Sequence, residues 1–111
     1  MTTRANLNVD QGSWTVLPIE LTVSWIDDFT GYTATGKIWD AKVDGTVLVD
    51  LDPFLDFDTV NGVVTLDIGS DETSTWLWER AFYELDITDG DPAHSVTFLK
   101  GEIRVERKVT T

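Results

Sequence analysis

The chain contains no cysteine. Disulfides, thiolate metal sites and a cysteine nucleophile are therefore excluded, and the redox compartment is left open. It has one histidine, His94, which follows Pro92-Ala93 in a turn-rich stretch. As a general base it would need a positioned partner, and the sequence shows none, so it reads as an exposed loop residue. No serine sits in a nucleophile-elbow pattern. No run approaches the roughly 20 apolar residues of a membrane-spanning helix, and the opening stretch MTTRANLNVDQGS has no apolar signal region. A soluble protein without the usual export signal is expected. Positive charge is also scarce: 8 Lys and Arg stand against 20 Asp and Glu, for a formal net charge of -12. Nucleic acid and anionic membrane surfaces would repel such a chain, so neither is expected as a partner.

What the chain does have is apolar bulk. At 111 residues, with 41% hydrophobic residues, it suits a single domain, residues 1–111, able to bury about two thirds of its unfolded surface. The organising stretch is residues 61–88, NGVVTLDIGSDETSTWLWERAFYELDIT. Val64, Leu66 and Ile68 alternate with Val63, Thr65 and Asp67, and later Ala81, Tyr83, Leu85 and Ile87 alternate with Phe82, Glu84 and Asp86. That period of two predicts two half-buried strands. Between them Ser70, followed by Asp71 and Glu72, predicts one capped helical turn, with the Ser70 side chain accepting from the backbone of Glu72 and Thr73. The connection is long enough to cross from one sheet to another.

The rest of the chain supplies strands to pack on that pair. Residues 7–10 read as a short first strand and Gln11-Gly12-Ser13 as a kink returning the chain to the same sheet. Residues 14–25 change phase around Pro18, which predicts an edge or bulge there and a cleaner strand over 19–25. Residues 32–41 put Tyr32, Ala34, Gly36 and Ile38 opposite Thr33, Thr35, Lys37 and Trp39. Asp44-Gly45 signals a two-residue hairpin, and DLDPFLDFD at 50–58 reads as a loop with an irregular strand piece. Asn61-Gly62 and Asp89-Gly90-Asp91-Pro92 are turns, and the last strand, 96–107, changes phase near 99–101, predicting a bulge. A polar tail begins at about 107. Many short strands, regular turn signals and almost no helical period predict an all-β antiparallel sandwich with one short helical turn.

Chemistry is harder to find. Asp50, Asp52, Asp56 and Asp58 form the densest carboxylate group, but the spacing of a calcium-binding EF loop is missing; weak calcium binding by loop carboxylates and a hydrolase using Asp52 or Asp56 are the residual alternatives. No cofactor or metal ligand set is identified. The tryptophans are more informative. Trp39 shares a phase with Lys37 and Thr35, and Trp76 and Trp78 cannot both point inward from one helical turn. Such aromatics either cap the ends of the sandwich, anchor a protein interface or stack on sugars. Half of the cations, Lys100, Arg104, Arg107 and Lys108, lie in the last strand and tail, which reads either as a head-to-tail contact with another copy or as an edge strand guarded by charge. Candidate contact residues are therefore Trp39, Trp76, Trp78, Arg104, Arg107 and Lys108.

Four segments in order, NLNVDQGSWTVLPIELTV, FTGYTATGKIW, GVVTLDIGSDETSTW and AFYELDITDGDPAHSVTFLKGEIRVERKVT, resemble a small domain of tailed-bacteriophage virion proteins, similar to the immunoglobulin-like N-terminal domain of phage baseplate upper proteins. The order covers nearly the whole chain. The resemblance implies an immunoglobulin-like sandwich with no enzymatic activity. It implies a tail, baseplate or neck subunit or a capsid decoration protein, assembled in the host cytoplasm, present in several copies and held by other virion proteins. A carbohydrate- or receptor-binding module is the alternative expectation.

Overall fold

The computed structural model describes residues 3–21, 23, 26, 28–41 and 44–107. Its strands are β1 (Thr3–Arg4), β2 (Leu7–Asp10), β3 (Thr15–Glu20), β4 (Thr33–Trp39), β5 (Val47–Asp50), β6 (Leu55–Asp58), β7 (Val63–Ile68), β8 (Arg80–Thr88) and β9 (Val96–Glu106). One helical turn, α1 (Ser70–Thr73), and 3-10 turns at Asp52–Phe54 and Pro92–His94 complete the described chain. The large sheet runs β1-β9-β8-β4-β5, with β2 also paired to β9; the small sheet runs β3-β7-β6. This is an immunoglobulin-like sandwich: a three-stranded sheet of B-E-D order faces a G-F-C sheet extended by a C′ strand.

The alternation of β7 and β8 produces this architecture. Val64, Leu66 and Ile68 are buried on β7, as are Ala81, Tyr83, Leu85 and Ile87 on β8, and the two strands lie in different sheets joined through α1. Ile38, Phe98, Leu99, Ile103 and Val105 complete the large-sheet side, while Leu17, Ile19, Leu55 and Phe57 pack from the small sheet. Gly36 leaves space that Leu85 fills; a Cβ there would stand 2.5 Å from Leu85 Cδ2. Phe29 tilts against Phe57 at 5.7 Å and meets Tyr32 edge-on at 6.2 Å, closing the end of the sandwich beside Gly62.

Several local expectations change. The sheets are not wholly antiparallel, because β1 and β2 both run parallel to β9. The turn at Gly12, φ +80°, carries the chain to the other sheet rather than back into the first. β3 spans Thr15–Glu20, not 19–25, and Pro18 sits inside it without a bulge. β3 is an edge strand, so a proline that cannot donate costs it no ladder bond on its open side. Trp25 lies outside the described residues. The β4–β5 connection is longer than two residues: Asp40 N–H donates to Thr46 O at 3.1 Å and Thr46 N–H to Asp40 Oδ1 at 2.7 Å, while Asp44 takes φ +55°. Residues 55–58 form a regular strand, β6, paired with β7. Ser70 does not cap α1; the Gly69 carbonyl accepts from Glu72 and Thr73 at 3.1 and 3.2 Å, since Ser70 already lies within the turn. The bulge in β9 falls at Phe98, where Leu85 pairs Leu99 but Asp86 pairs Thr97. β9 is interior to its sheet, so the guarded-edge reading of the terminal strand does not apply.

The break between β1 and β2 is held by polar contacts. The Tyr83 hydroxyl, inside the sandwich, donates to Ala5 O at 2.5 Å, Ala5 N–H donates to Lys100 O at 2.9 Å, and Glu102 N–H donates to Asn6 Oδ1 at 3.2 Å. Burial pushes the Tyr83 phenol up to about 12, so it remains a donor throughout the neutral range. Gly101 faces Tyr83 across the ladder, and any Cβ there would strike the Ala5 backbone. Tyr83→Phe leaves Ala5 O without its donor and should lower stability by about 1–3 kcal/mol in urea unfolding. It should also speed proteolytic clipping within residues 3–10.

Candidate functional site

The outer face of the large sheet collects aromatic and cationic side chains. Parity along the strands decides this. Lys37 and Trp39 alternate with buried Gly36 and Ile38, and Phe82, Glu84 and Asp86 alternate with the buried row of β8. Register then places Trp39 opposite Phe82, Lys37 opposite Glu84, and Lys100 beside both Glu84 and Arg4. The Arg80 guanidinium lies 5.9 Å from the Phe82 ring centre. Trp39, Phe82, Arg4, Asn6, Lys100 and Glu102 line a shallow groove of about 430 Å³.

The charges of this face are ordered from within. Glu102 receives Arg80 Nη2 at 2.9 Å and Arg104 Nε at 2.7 Å, and these contacts, Arg104 first, hold its carboxyl below the usual carboxylate range. Thr97 Oγ1 donates to Glu84 Oε1 at 2.7 Å. Asp86 is half-buried beside them, and its Oδ1 has no hydrogen-bond partner among the described residues. Desolvation holds its carboxyl above the ordinary range, reinforced by Glu84 and opposed by Thr97 and Lys37.

The expected contact residues do not form one site. Trp39 and Arg104 share the outer face of the large sheet. Trp76 does not belong to a surface: it is 2% exposed and part of the core. After α1 the turn continues to Trp76, whose N–H donates to Thr73 O at 3.1 Å, and Trp76 and Trp78 both lean inward, stacked at 5.2 Å with 24° between planes, while Leu77 between them is 71% exposed. The pair thus closes one end of the sandwich, as the capping alternative expected. Arg107 Nη2 donates to Leu77 O at 3.4 Å and Arg107 Nε lies 3.7 Å from Glu79, which ties the start of the tail to this end. Lys108 lies outside the described residues.

Sequence reasoning missed Phe82 and Arg4 as neighbours of Trp39 in the groove, and Arg80 over the Phe82 ring. The signal was present in the outward phase of β8, but without register it could not be joined to β4. It also missed Trp14, which is 70% exposed on the small sheet and donates from Nε1 to Asp67 Oδ1 at 2.6 Å.

The loop carboxylates build turns. Asp52 Oδ1 accepts from Gly36 N–H at 2.8 Å, Asp50 Oδ1 from Asp52 N–H at 3.0 Å, and Asp58 Oδ1 from Val60 and Asn61. Among the described residues no group of three or more His, Asp or Glu is placed to hold a metal ion, and no helix is long and apolar enough to cross a membrane. His94 is exposed, with Nδ1 2.8 Å from Asp89 Oδ2; that contact raises its pKa.

Asp86 gives a pH test. A carboxyl whose folded value exceeds its unfolded value near 3.8 binds its proton more tightly when folded. Stability present below 3.8 is therefore lost as pH rises through the folded value. Asp86→Asn should melt at a higher temperature than the parent at pH 7, with the difference shrinking at about pH 3, in paired thermal unfolding series. A search against models of known protein families finds no match to the chain, and neither does a search of curated proteins.

Proposed function

We propose that this chain is a structural subunit of a tailed-bacteriophage virion, a tail, baseplate or neck component or a capsid decoration protein, acting without catalysis through protein–protein contacts. The observation that carries the reading is the outer face of the large sheet, where Trp39, Phe82 and Arg80 are presented on three-stranded, ladder-bonded backbone. Aromatic and arginine side chains on a rigid frame are the side chains that dominate binding energy at protein interfaces. The immunoglobulin-like topology and the order of the four sequence segments support the same reading. Other virion proteins and further copies of the chain are its partners in this account, and the assembled virion is its location.

A second reading draws on the same groove. Trp39 and Phe82 beside Asn6, Glu84 and Glu102 offer an aromatic platform with acceptors for sugar hydroxyls, as a carbohydrate-binding or receptor-binding module requires. A glycan array with the purified chain separates the two, since saturable binding to one glycan class favours the second.

Mass spectrometry of density-purified phage particles encoded with this chain tests the first reading. The chain should be present in stoichiometric copies, and a Trp39→Ser/Phe82→Ser variant that keeps its circular dichroism spectrum should be missing from the particles. Purified particles that lack the parent chain contradict the proposal.

A further inference from the structure

The edge strands of the small sheet are protected against further pairing, β3 by Pro18 and Glu20 and β6 by Asp56 and Asp58. β5, at the end of the large sheet, is not. Its residues, Val47-Leu48-Val49-Asp50, include neither proline nor lysine, and among the described residues it pairs only with β4. Register shows which backbone groups it leaves open. Asp50 stands opposite Lys37, and the next N–H, that of Leu51, donates to Gly36 O at 2.8 Å. Asp50 and Lys37 are thus a non-hydrogen-bonded pair, which turns the Asp50 N–H and C=O away from β4. The ladder shifts between Ile38 and Trp39: Val49 and Val47 are paired, and Leu48 is the extra residue of a bulge. Val47 and Leu48 are 44% and 38% exposed.

Beside this edge lies a groove of about 430 Å³. Leu48 and Val49 of β5 and Phe54 of the following 3-10 turn line it together with Leu77 and Trp78 from the segment after α1. Trp78 packs on the core, while Leu77 is open to solvent. The charged residues of the lining are Asp50 and Glu72. All of the lining comes from residues 43–79, a stretch with nine Asp and Glu and no Lys, Arg or His. Lys37, across the ladder from Asp50, and Arg107, on the Leu77 carbonyl, stand beside the groove; among the described residues neither forms an ion pair with Asp50 or Glu72.

We infer that β5 and this groove are a docking site for an extended segment of a partner protein in which apolar residues alternate with Lys or Arg. The segment adds to the large sheet beyond β5 through backbone hydrogen bonds. Its side chains point to opposite faces in turn, so its apolar residues enter beside Leu48, Phe54 and Leu77 while its cations meet the carboxylates of Asp50 and Glu72. Pairing β5 with the β5 of a second copy is disfavoured, because it gathers the Asp50 and Glu72 carboxylates of both copies in one small contact under a net charge of -12 on each. The site is distinct from the Trp39 and Phe82 face and does not depend on the virion reading.

The test is titration of the chain with the peptide Lys-Val-Lys-Leu-Lys-Val-Lys-Leu, followed by tryptophan fluorescence, since Trp76 and Trp78 line the groove and the peptide has no aromatic residue. Binding should saturate at one peptide per chain. Two N-methylated forms of the peptide, one methylated at every Lys and one at every apolar residue, keep its charge, and each removes the amides along one edge of the strand. One form should bind about tenfold more weakly and the other like the parent peptide, because a single edge faces β5. Leu77→Glu and Glu72→Lys, each checked for an unchanged circular dichroism spectrum, should each weaken binding of the parent peptide by about tenfold. Absence of saturable binding overturns the inference. Equal binding of the two methylated forms, or undiminished binding to both variants, also overturns it, since either means unspecific attraction of a cationic peptide to an acidic protein. Self-association of the parent chain that Leu77→Glu abolishes would make a second copy the occupant and overturn it too. None of these results bears on the virion reading, which is decided by the composition of the particles.

Discussion

The structure depends on the burial of two rows of side chains against each other: Val64, Leu66 and Ile68 of β7, and Ala81, Tyr83, Leu85 and Ile87 of β8. The strands are near neighbours in sequence but belong to different sheets. Once the α1 crossover separates them, neither row can leave water except by facing the other, and a two-layer sandwich follows. Thr73, fully buried in α1, ties the crossover down: its hydroxyl lies 2.9 Å from Ser13 O and 3.3 Å from Ser70 O. Trp76 then folds over the same end, with Trp78 stacked on it.

A core shared so completely between the sheets frees both outer rows for other uses. On the small sheet these rows carry Glu20, Asp56, Asp58 and Asp67, and on the large sheet Trp39 and Phe82 stand among cations and carboxylates in mixture. Edges are handled separately. β3 carries Pro18 and Glu20, and β6 carries Asp56 and Asp58, which discourage further strand pairing there. The open side of β9 is covered by β1 and β2 in parallel, fixed by the Tyr83–Ala5 and Asn6–Glu102 contacts. With the edges of the small sheet guarded in this way, its pairing with further strands is opposed, and a net charge of -12 opposes unspecific association.

Much of the frame was legible in the sequence because it rests on period-two burial. β4, β7 and β8 have inward rows that alternate cleanly, and the crossover between β7 and β8 announced two sheets. Pro18 does mark an edge strand, one of the two readings it allows, but the cleaner alternation over 19–25 draws the strand too far along the chain, since β3 pairs over Thr15–Glu20. The parallel pairing of β1 and β2 depends on the Tyr83 hydroxyl reaching Ala5 from 78 residues away, which no local pattern encodes. The site was less legible. Trp76 reads as a surface candidate because two tryptophans spaced by two do not share one face of a helical turn; the turn ends at Trp76, and the chain leaves it so that both indoles reach the core and stack. Trp39 was singled out by its phase with Lys37, but its neighbours Phe82 and Arg80 come from strand register, a long-range property.

Native-state hydrogen exchange most directly tests the claim that the two sheets share one core. The account predicts that the amides of Val64 and Leu66 on β7 and of Tyr83 and Leu85 on β8 exchange only through global unfolding, with a common free energy equal to that from urea denaturation. Exchange of the β7 amides at a markedly lower free energy than those of β8 would mean that the sheets open independently, and would contradict it.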